Sequence, residues 1–388
     1  MRLYLTTLNP TDSVTSGFLP AAARLGWDVT ILTDQPDRYP GFETMAADVR
    51  DHRAVIDAVA AHHRPDVVFS NSDHLQAATA LASAYFGLPA KDWRACVTAK
   101  NKALTRRALS VLDPVRSVRL PPGAAPPAAL PYPVVVKPAY GVASEDVVLA
   151  HDAAELGAAV ADIRTRRPDE PLVAEEFLDG PVRTLETLGD GDAIHVLGGF
   201  RTTLGPRPHF VEERLDWDPE IPPDHLEHLL AALRVVGAGL GACHTEYAVT
   251  PEGPRVIEIN YRLIGDTCDF LLADLLGVPL HEWILLAHAG RPLPPWRPGP
   301  STAYGSVVSL VADRPGVVTA APPGTAAEAD TTDGVRLWHR PLRGVGDRVE
   351  LTHTNRDYLG LVRALGPDRA SVDAAVRSFL ARDPWVIT

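Results

Sequence analysis

The chain has 388 residues and 41.7 kDa, enough for several subdomains with a real apolar core. Hydrophobic content of 46% with 22% charged residues is ordinary for a globular protein, and a net charge of −12 without a basic block excludes a general nucleic-acid binder. Cys96, Cys243 and Cys268 are widely spaced, which suits reduced cytoplasmic thiols and offers no metal cluster.

In chain order, residues 2–8 read as a strand, 15–25 as a helix closed by Gly26, 27–33 as a strand, 53–63 as a helix and Asp66 to Phe69 as a buried strand. No basic-then-apolar signal segment opens the chain. The alternation predicts an open parallel sheet. Ser70-Asn71-Ser72-Asp73 then stands at a strand's carboxyl end and reads either as a ligand loop or as a helix cap. There is no GxGxxG, so a dinucleotide cofactor is not supported. A helix from about 99 to 112, a proline-rich loop from Leu120 to Pro133, strands at 134–137 and 146–150 and a helix near 152–164 follow. Strands at 172–177, 183–188 and 194–203 lead through a Pro/Glu-rich segment to a helix at 224–240. The hairpin 243–261 is next. Phe270 to Ala289, interrupted by Asp274, His281, Glu282, Gly277 and Pro279, is a pair of core helices and not a membrane span. Short strands and a helix near 370–381 finish the chain.

Only four of the 37 basic residues are lysine: Lys91, Lys100, Lys102 and Lys137. In a chain that so prefers arginine, a lysine marks a place for a compact ammonium, although Lys91 reads as surface.

The hairpin is the most informative stretch. In RVIEINYRLIGD, Glu258, Asn260 and Arg262 recur at every second position and so share a face. A register centred on Glu252 sets Glu246 opposite Glu258 and His244 opposite Asn260. Opposed carboxylates repel unless one is protonated, the face is wet or a cation lies between them, and carboxylates with an amide oxygen suit Mg²⁺ shared with phosphate. Lys137 ends a buried strand, and the small-residue turn with Gly141 and Ser144 can lay N–H groups over phosphates. Glu175, Glu176, Phe177 and Leu178 leave a strand in a form that can face a planar base. A solvated face, a plain strand–turn–strand and an edge strand are the bland counterparts of these three readings.

The order of NKALTRRAL (101–109), PVVVKPAYGVAS (133–144), VAEEFLDGP (173–181), HTEYAV and VIEINYRLIGD resembles the ATP-grasp superfamily of carboxylate–amine and carboxylate–thiol ligases, over about residues 99–290. The twelve-residue gap from Glu246 to Glu258, with Asn260 two further on, is similar to the biotin carboxylase and amino-acid ligase branches. The resemblance implies an α/β ATP-grasp fold, α+β in its C-terminal part. It implies an N-terminal parallel-sheet domain (1–98), a small lid (99–178), a large subdomain with an antiparallel sheet (179–300) and a C-terminal accessory subdomain (301–388). It also implies ATP and Mg²⁺, two ions with Mn²⁺ as substitute. Lys102 and Lys137 would bind the phosphates under Gly141 to Ser144, and Glu175 to Leu178 the adenine. Glu246, Glu258 and Asn260 would hold metal. Arg262 would steady the carboxylate or its acyl phosphate, the Gly265 N–H would face the oxyanion, and Arg201 would lie near the transferred phosphoryl group.

Two departures stand out. Asp146 occupies a place where relatives commonly have glycine, which implies a stiffer loop. Val182 replaces a ribose-binding acid, leaving Glu175, Arg183 or Glu186 as substitutes. Asp266, where many amino-acid ligases show a second glycine, reads as a helix cap or an ammonium ligand, with the cap favoured. His244 is a base, a substrate contact or a structural histidine. His209, Phe210, Glu212 and Glu213 fall in the region matching the acceptor pocket of amino-acid ligases, or in a docking loop. SNSDHLQ and EINYRLIGD look more faintly like stand-alone ligases of secondary-metabolite or siderophore pathways. The expected partners are a small carboxylate and an amine, without nucleic acid or membrane; a homodimer is an expected assembly. The expected reaction forms an amide through an acyl phosphate with release of ADP. The alternatives are carboxylation through carboxyphosphate and a non-catalytic ATP-binding module.

Overall fold

The structure is a computed structural model, which describes residues 1–127, 129–296, 303–325, 330–332, 334–382 and 384–388. The expected division at 300/301 lies outside the described residues. At the N-terminus, Glu43–Ala46, Asp28–Thr33, Arg2–Thr6 and Val67–Phe69 lie side by side in a parallel sheet. Leu3, Leu5, Ile31 and Phe69 are buried in it. The strand Glu43–Ala46 and the helices Gln76–Tyr85 and Trp93–Lys100 were not read from the sequence. The long helix expected from 99 to 112 is broken at Asn101. Its side chain accepts hydrogen bonds from the Ala103 and Leu104 amides, and so starts the helix Lys102–Leu109 afresh.

Ser117–Leu120, Leu172–Glu176, Val134–Pro138 and Val148–Ala150 build an antiparallel four-stranded sheet. The helix Ala153–Arg166 covers it, and together they enclose an apolar core of their own around Val134, Val136, Leu156 and Ile163. The third body is a ten-stranded sheet among the described residues. Strands of the chain's last quarter, such as Tyr304–Val311 and Tyr358–Gly366, continue the sheet begun by Val182–Asp190, Leu240–Thr250 and Gly253–Asn260. The expected Pro/Glu-rich segment contains one of its strands, Glu212–Trp217.

Among the described residues no single helix is long and apolar enough to cross a membrane. The apolar stretch near 270–289 is two helices, Cys268–Leu276 and Leu280–His288, bent by 99°. They bury Leu271, Leu272, Ile284 and Leu285 in the same core as Leu3, Phe18 and Phe69 of the N-terminal sheet. That shared core fixes the parallel sheet against the large antiparallel one. All three cysteines are free and buried.

Candidate active site

The hairpin carries the register read from its sequence: Glu246 is opposite Glu258 and His244 opposite Asn260. At its tip the strands close one residue earlier, with Thr250 opposite Gly253. The register shifts between Glu246 and Tyr247, where Ile257 is the extra residue of a bulge. This bulge brings the two carboxylates level. Asn260 Nδ2 donates to Glu246 Oε1 (3.3 Å), so its amide oxygen remains to accept or coordinate. Lys102, the first residue of its helix, donates to Glu258 Oε1 (2.8 Å) and to the Gly141 carbonyl (2.8 Å). It thereby joins the floor to the turn above.

These groups line one cavity of about 590 Å³, bounded also by the four-stranded antiparallel sheet and by the loops after the first and fourth parallel strands. Lys137, Gly141, Ser144, Glu175, Glu176, Phe177, Leu178, Glu212, His244, Arg262, Gly265 and Asp266 all reach it. Asn71, Ser72, Asp73 and His74 do too, and the following helix takes no side-chain cap, so the cap reading of that run does not hold.

Glu175 is buried between Arg106, which holds both of its oxygens (2.8 and 3.2 Å), and the Lys137 ammonium. Burial raises its pKa, but the two cations outweigh this and hold it at about 2. Its backbone lies within the sheet, between Ser117 and Val135. The Glu176 and Phe177 amides donate to Arg116 and Pro133 carbonyls. Within the stretch expected to face adenine, Leu178 is therefore the first amide outside those pairings, while the Glu175 side chain is held by its two cations. Arg106, one turn beyond Lys102, also donates to the Val256 and Ile257 carbonyls. The spacing of Lys102 and Arg106 on one helix face was the signal that could have found it.

The turn over the cavity has Ala143, Ser144 and Asp146 at φ of 55°, 53° and 56°. Asp146 thus holds the left-handed conformation that glycine adopts most easily, and its carboxylate is tied to Arg166 and Arg167 (2.7 and 2.6 Å). Asp266 (φ 53°) and Thr267 (φ 65°), which also line the cavity, repeat this. Asp266 does not cap the helix that follows: Thr267 occupies that place, without a side-chain cap. Burial raises the Asp266 pKa; burial and the neighbouring Glu246 raise that of Glu212 to about 8.

His244 is buried with Nδ1 at 2.8 Å from Glu186 and Nε2 at 3.3 Å from Glu246. Burial disfavours its charge, yet the two carboxylates prevail and lift its pKa to about 10. It thus lies between two acids that both favour its charged form.

Three expected site residues lie elsewhere. Arg183 pairs across the sheet with Tyr247 and Arg201, on the face away from Val182 and Glu246. It binds Asp218 (2.7 Å) and the Glu220 carbonyl. Arg201 is exposed beside the same Asp218 (3.3 Å). His209 stacks on His353 with ring centroids 4.4 Å apart. The proposed ribose substitutes are likewise committed: Glu175 to its two cations, Arg183 to Asp218, and Glu186 to His244. Arg207, which the sequence reading passed over, does reach the cavity, with its guanidinium 4.6 Å from the Phe177 ring centroid and 4.4 Å from that of Phe210.

Magnesium fits this floor. Glu246, Glu258 and the Asn260 oxygen are hard donors, and all three line the cavity with the two carboxylates directly opposed.

No protein-family model matches the chain. A curated relative of unknown activity from Sinorhizobium fredii is 31% identical over 329 residues, 78% of this chain and 64% of its own length. The phosphoribosylamine–glycine ligase of Phenylobacterium zucineum is 25% identical over 324 residues, 76% of this chain and 67% of its own. The chain therefore spans about two thirds of the length of these relatives. Among solved structures, the L-amino acid ligase from Bacillus licheniformis superposes with a TM-score of 0.81 at 20% identity, over 100% of this chain and 98% of its own. The chain thus has the fold of that ligase, an ATP-grasp fold, and its motif order and the acid pair on the cavity floor are similar to those of that superfamily.

Proposed function

We propose that the protein is an ATP-dependent carboxylate–amine ligase that forms an amide through an acyl phosphate, releasing ADP and phosphate, with an amino acid or small carboxylic acid as substrate. One observation carries this reading. A single cavity holds the opposed Glu246 and Glu258, the buried lysines Lys102 and Lys137, and Arg262 together with the carboxyls of Glu212 and Asp266. The first two sets suit a nucleotide's metal and phosphates. The third suits a substrate that bears a carboxylate and an ammonium. The names of the phosphoribosylamine–glycine ligase and the L-amino acid ligase point to the same kind of bond.

In this reading Glu246, Glu258 and Asn260 hold Mg²⁺, which when bound neutralises phosphate oxygens during transfer. Lys102 and Lys137 bind the phosphates, and the turn from Gly141 to Ser144 covers them. Leu178 meets the adenine edge, with Phe177 and Arg207 beside it. Arg262 orients the substrate carboxylate for attack on the γ-phosphate and then offsets charge on the acyl phosphate. The Gly265 amide stabilises the oxyanion formed when the amine adds. Asp266 and Glu212 receive the substrate ammonium. Residues 99–178 act as a lid that excludes water, a role supported for 118–174 by their separate apolar core, while Ala99 and Leu109 are buried with the large sheet. The pathway, a cytoplasmic location and a homodimeric state belong to the same proposal.

The test is a phosphate-release screen of amino acids and small acids in pairs, with mass detection of the amide. Glu258→Gln keeps an acceptor for Lys102 but removes a metal ligand. It is expected to lower ADP release at least about a hundredfold with the fold retained; wild-type turnover in that variant refutes the assignment.

A further inference from the structure

Lys91 does not reach the cavity, and its sequence context read as surface; in the structure it is buried at 7% exposure. Its Nζ donates to Gln76 Oε1 (2.8 Å) and to the Tyr261 carbonyl (2.6 Å), and lies 4.2 Å from the centroid of the Tyr261 ring. No carboxylate pairs with it among the described residues. Burial accordingly pulls its pKa down to about 8, within a surround of Cys96, Cys243, Asp73, Arg262 and the neutral His288. An ammonium in such a place costs more than an apolar side chain of the same length would.

The bonds around it have a common target. Tyr261 C=O and Leu263 N–H belong to the two peptide groups that flank Arg262. The first is held by Lys91 and the second by Asn71 Oδ1 (3.0 Å). The Arg262 amide is fixed as well, on the Asn260 carbonyl (2.7 Å). Gln76 completes the relay, donating through Nε2 to the Ser70 and Ser72 carbonyls (2.9 Å each), on either side of Asn71. Both holds on Arg262 therefore come from the N-terminal parallel-sheet body, and Gln76 keeps them in register with each other.

We infer that Lys91 is a positioning residue: by gripping the Tyr261 carbonyl it sets the backbone of Arg262, and so makes recognition of the substrate carboxylate depend on the Ser70–Asp73 loop. This rests on the ligase reading, in which Arg262 binds that carboxylate.

The test uses the full chain with Lys91→Met, which keeps the stem and removes the ammonium, and Gln76→Leu, which breaks the relay from its other end. Three quantities are measured: MgATP affinity by calorimetry, ADP release as a pool of the twenty amino acids is titrated at saturating ATP, and amide hydrogen exchange over residues 259–266. Lys91→Met is expected to bind MgATP within about threefold of wild type while the half-saturating amino-acid concentration rises about tenfold or more. Exchange at Arg262 to Gly265 should quicken, and Gln76→Leu should act in the same direction, giving the result even where Lys91→Met does not fold. Unchanged half-saturation and exchange overturn the inference, as does an equal loss of MgATP and amino-acid affinity. If the wild type releases no ADP with any amino acid or with any small acid of the paired screen, the ligase reading fails, and the exchange arm alone decides whether Lys91 holds the turn.

Discussion

Two aspartates stand at positive φ in loops that touch the cavity: Asp146, between the lining residues Glu145 and Val147, and Asp266, which lines it. Both are places where the family resemblance calls for glycine, and the backbone explains the exchange. Aspartate tolerates the left-handed region better than most residues, and each substitution adds a carboxylate to a loop that touches the site. Asp146 uses its charge on Arg166 and Arg167; Asp266 keeps its own facing the cavity. Arginine 201 shows the opposite kind of outcome. Its position along the chain fits the family, but side chains alternate across a strand, and here the parity turns it out to solvent beside Asp218. Nothing in a single sequence reveals which face of that strand is covered, so Arg183 and Arg201 were not legible as outward-facing. Arg201→Ala should keep turnover within about threefold of wild type and Arg262→Ala should lose about a hundredfold or more; kinetics with the pair found in the screen compare them, and equal losses would return Arg201 to the site.

At the scale of elements, the hairpin was readable because two independent signals agree in it. The alternation of Glu258 and Asn260 names a face, and the Pro251-Glu252-Gly253 turn sets the pairing. The bulge at Ile257 was not readable, since one extra residue leaves no mark in composition; two errors, in the tip and in the bulge, cancel at the acids. The triangle of Glu175, Arg106 and Lys137 was missed for a different reason. It joins a strand of the lid to a helix and a second strand far away in sequence, and no local pattern announces such a pairing. Its titration gives a prediction with a definite sign. The carboxyl is at about 2 in the folded chain against an ordinary value of 4.5. The unfolded chain therefore binds the proton first, and the triangle's stabilisation is present above pH 4.5 and lost as pH falls toward 2. Glu175→Gln should be less stable at pH 7 by about 3–5 kcal/mol, since it strands two buried cations. It should also show a shallower decline in urea midpoint between pH 4.5 and 3; parallel profiles for variant and wild type would show that Glu175 is not so held.

For the whole molecule, the parallel sheet, the lid and the large antiparallel sheet each contribute to one cavity, and none of them contains a complete site. The order of the motifs was legible because each carries residues of one chemical kind at a local spacing. The joins between bodies were not legible: Lys91 and Asn71 reach Tyr261 and Leu263 across 170 and 192 residues. Scarcity of lysine marked Lys102 and Lys137, which line the cavity, whereas Lys91, expected at the surface, is buried. The last quarter of the chain, expected as an accessory subdomain, likewise has strands within the main sheet. The central claim is that this shared cavity activates a carboxylate with ATP and joins it to an amine. The most direct test is mass spectrometry of the products when the purified chain, ATP and Mg²⁺ meet the pairs of the screen, with one carboxyl group labelled with oxygen-18. An acyl phosphate route predicts ADP, an amide, and one labelled oxygen carried into the released phosphate. AMP with pyrophosphate, or an amide formed with unlabelled phosphate, would contradict it.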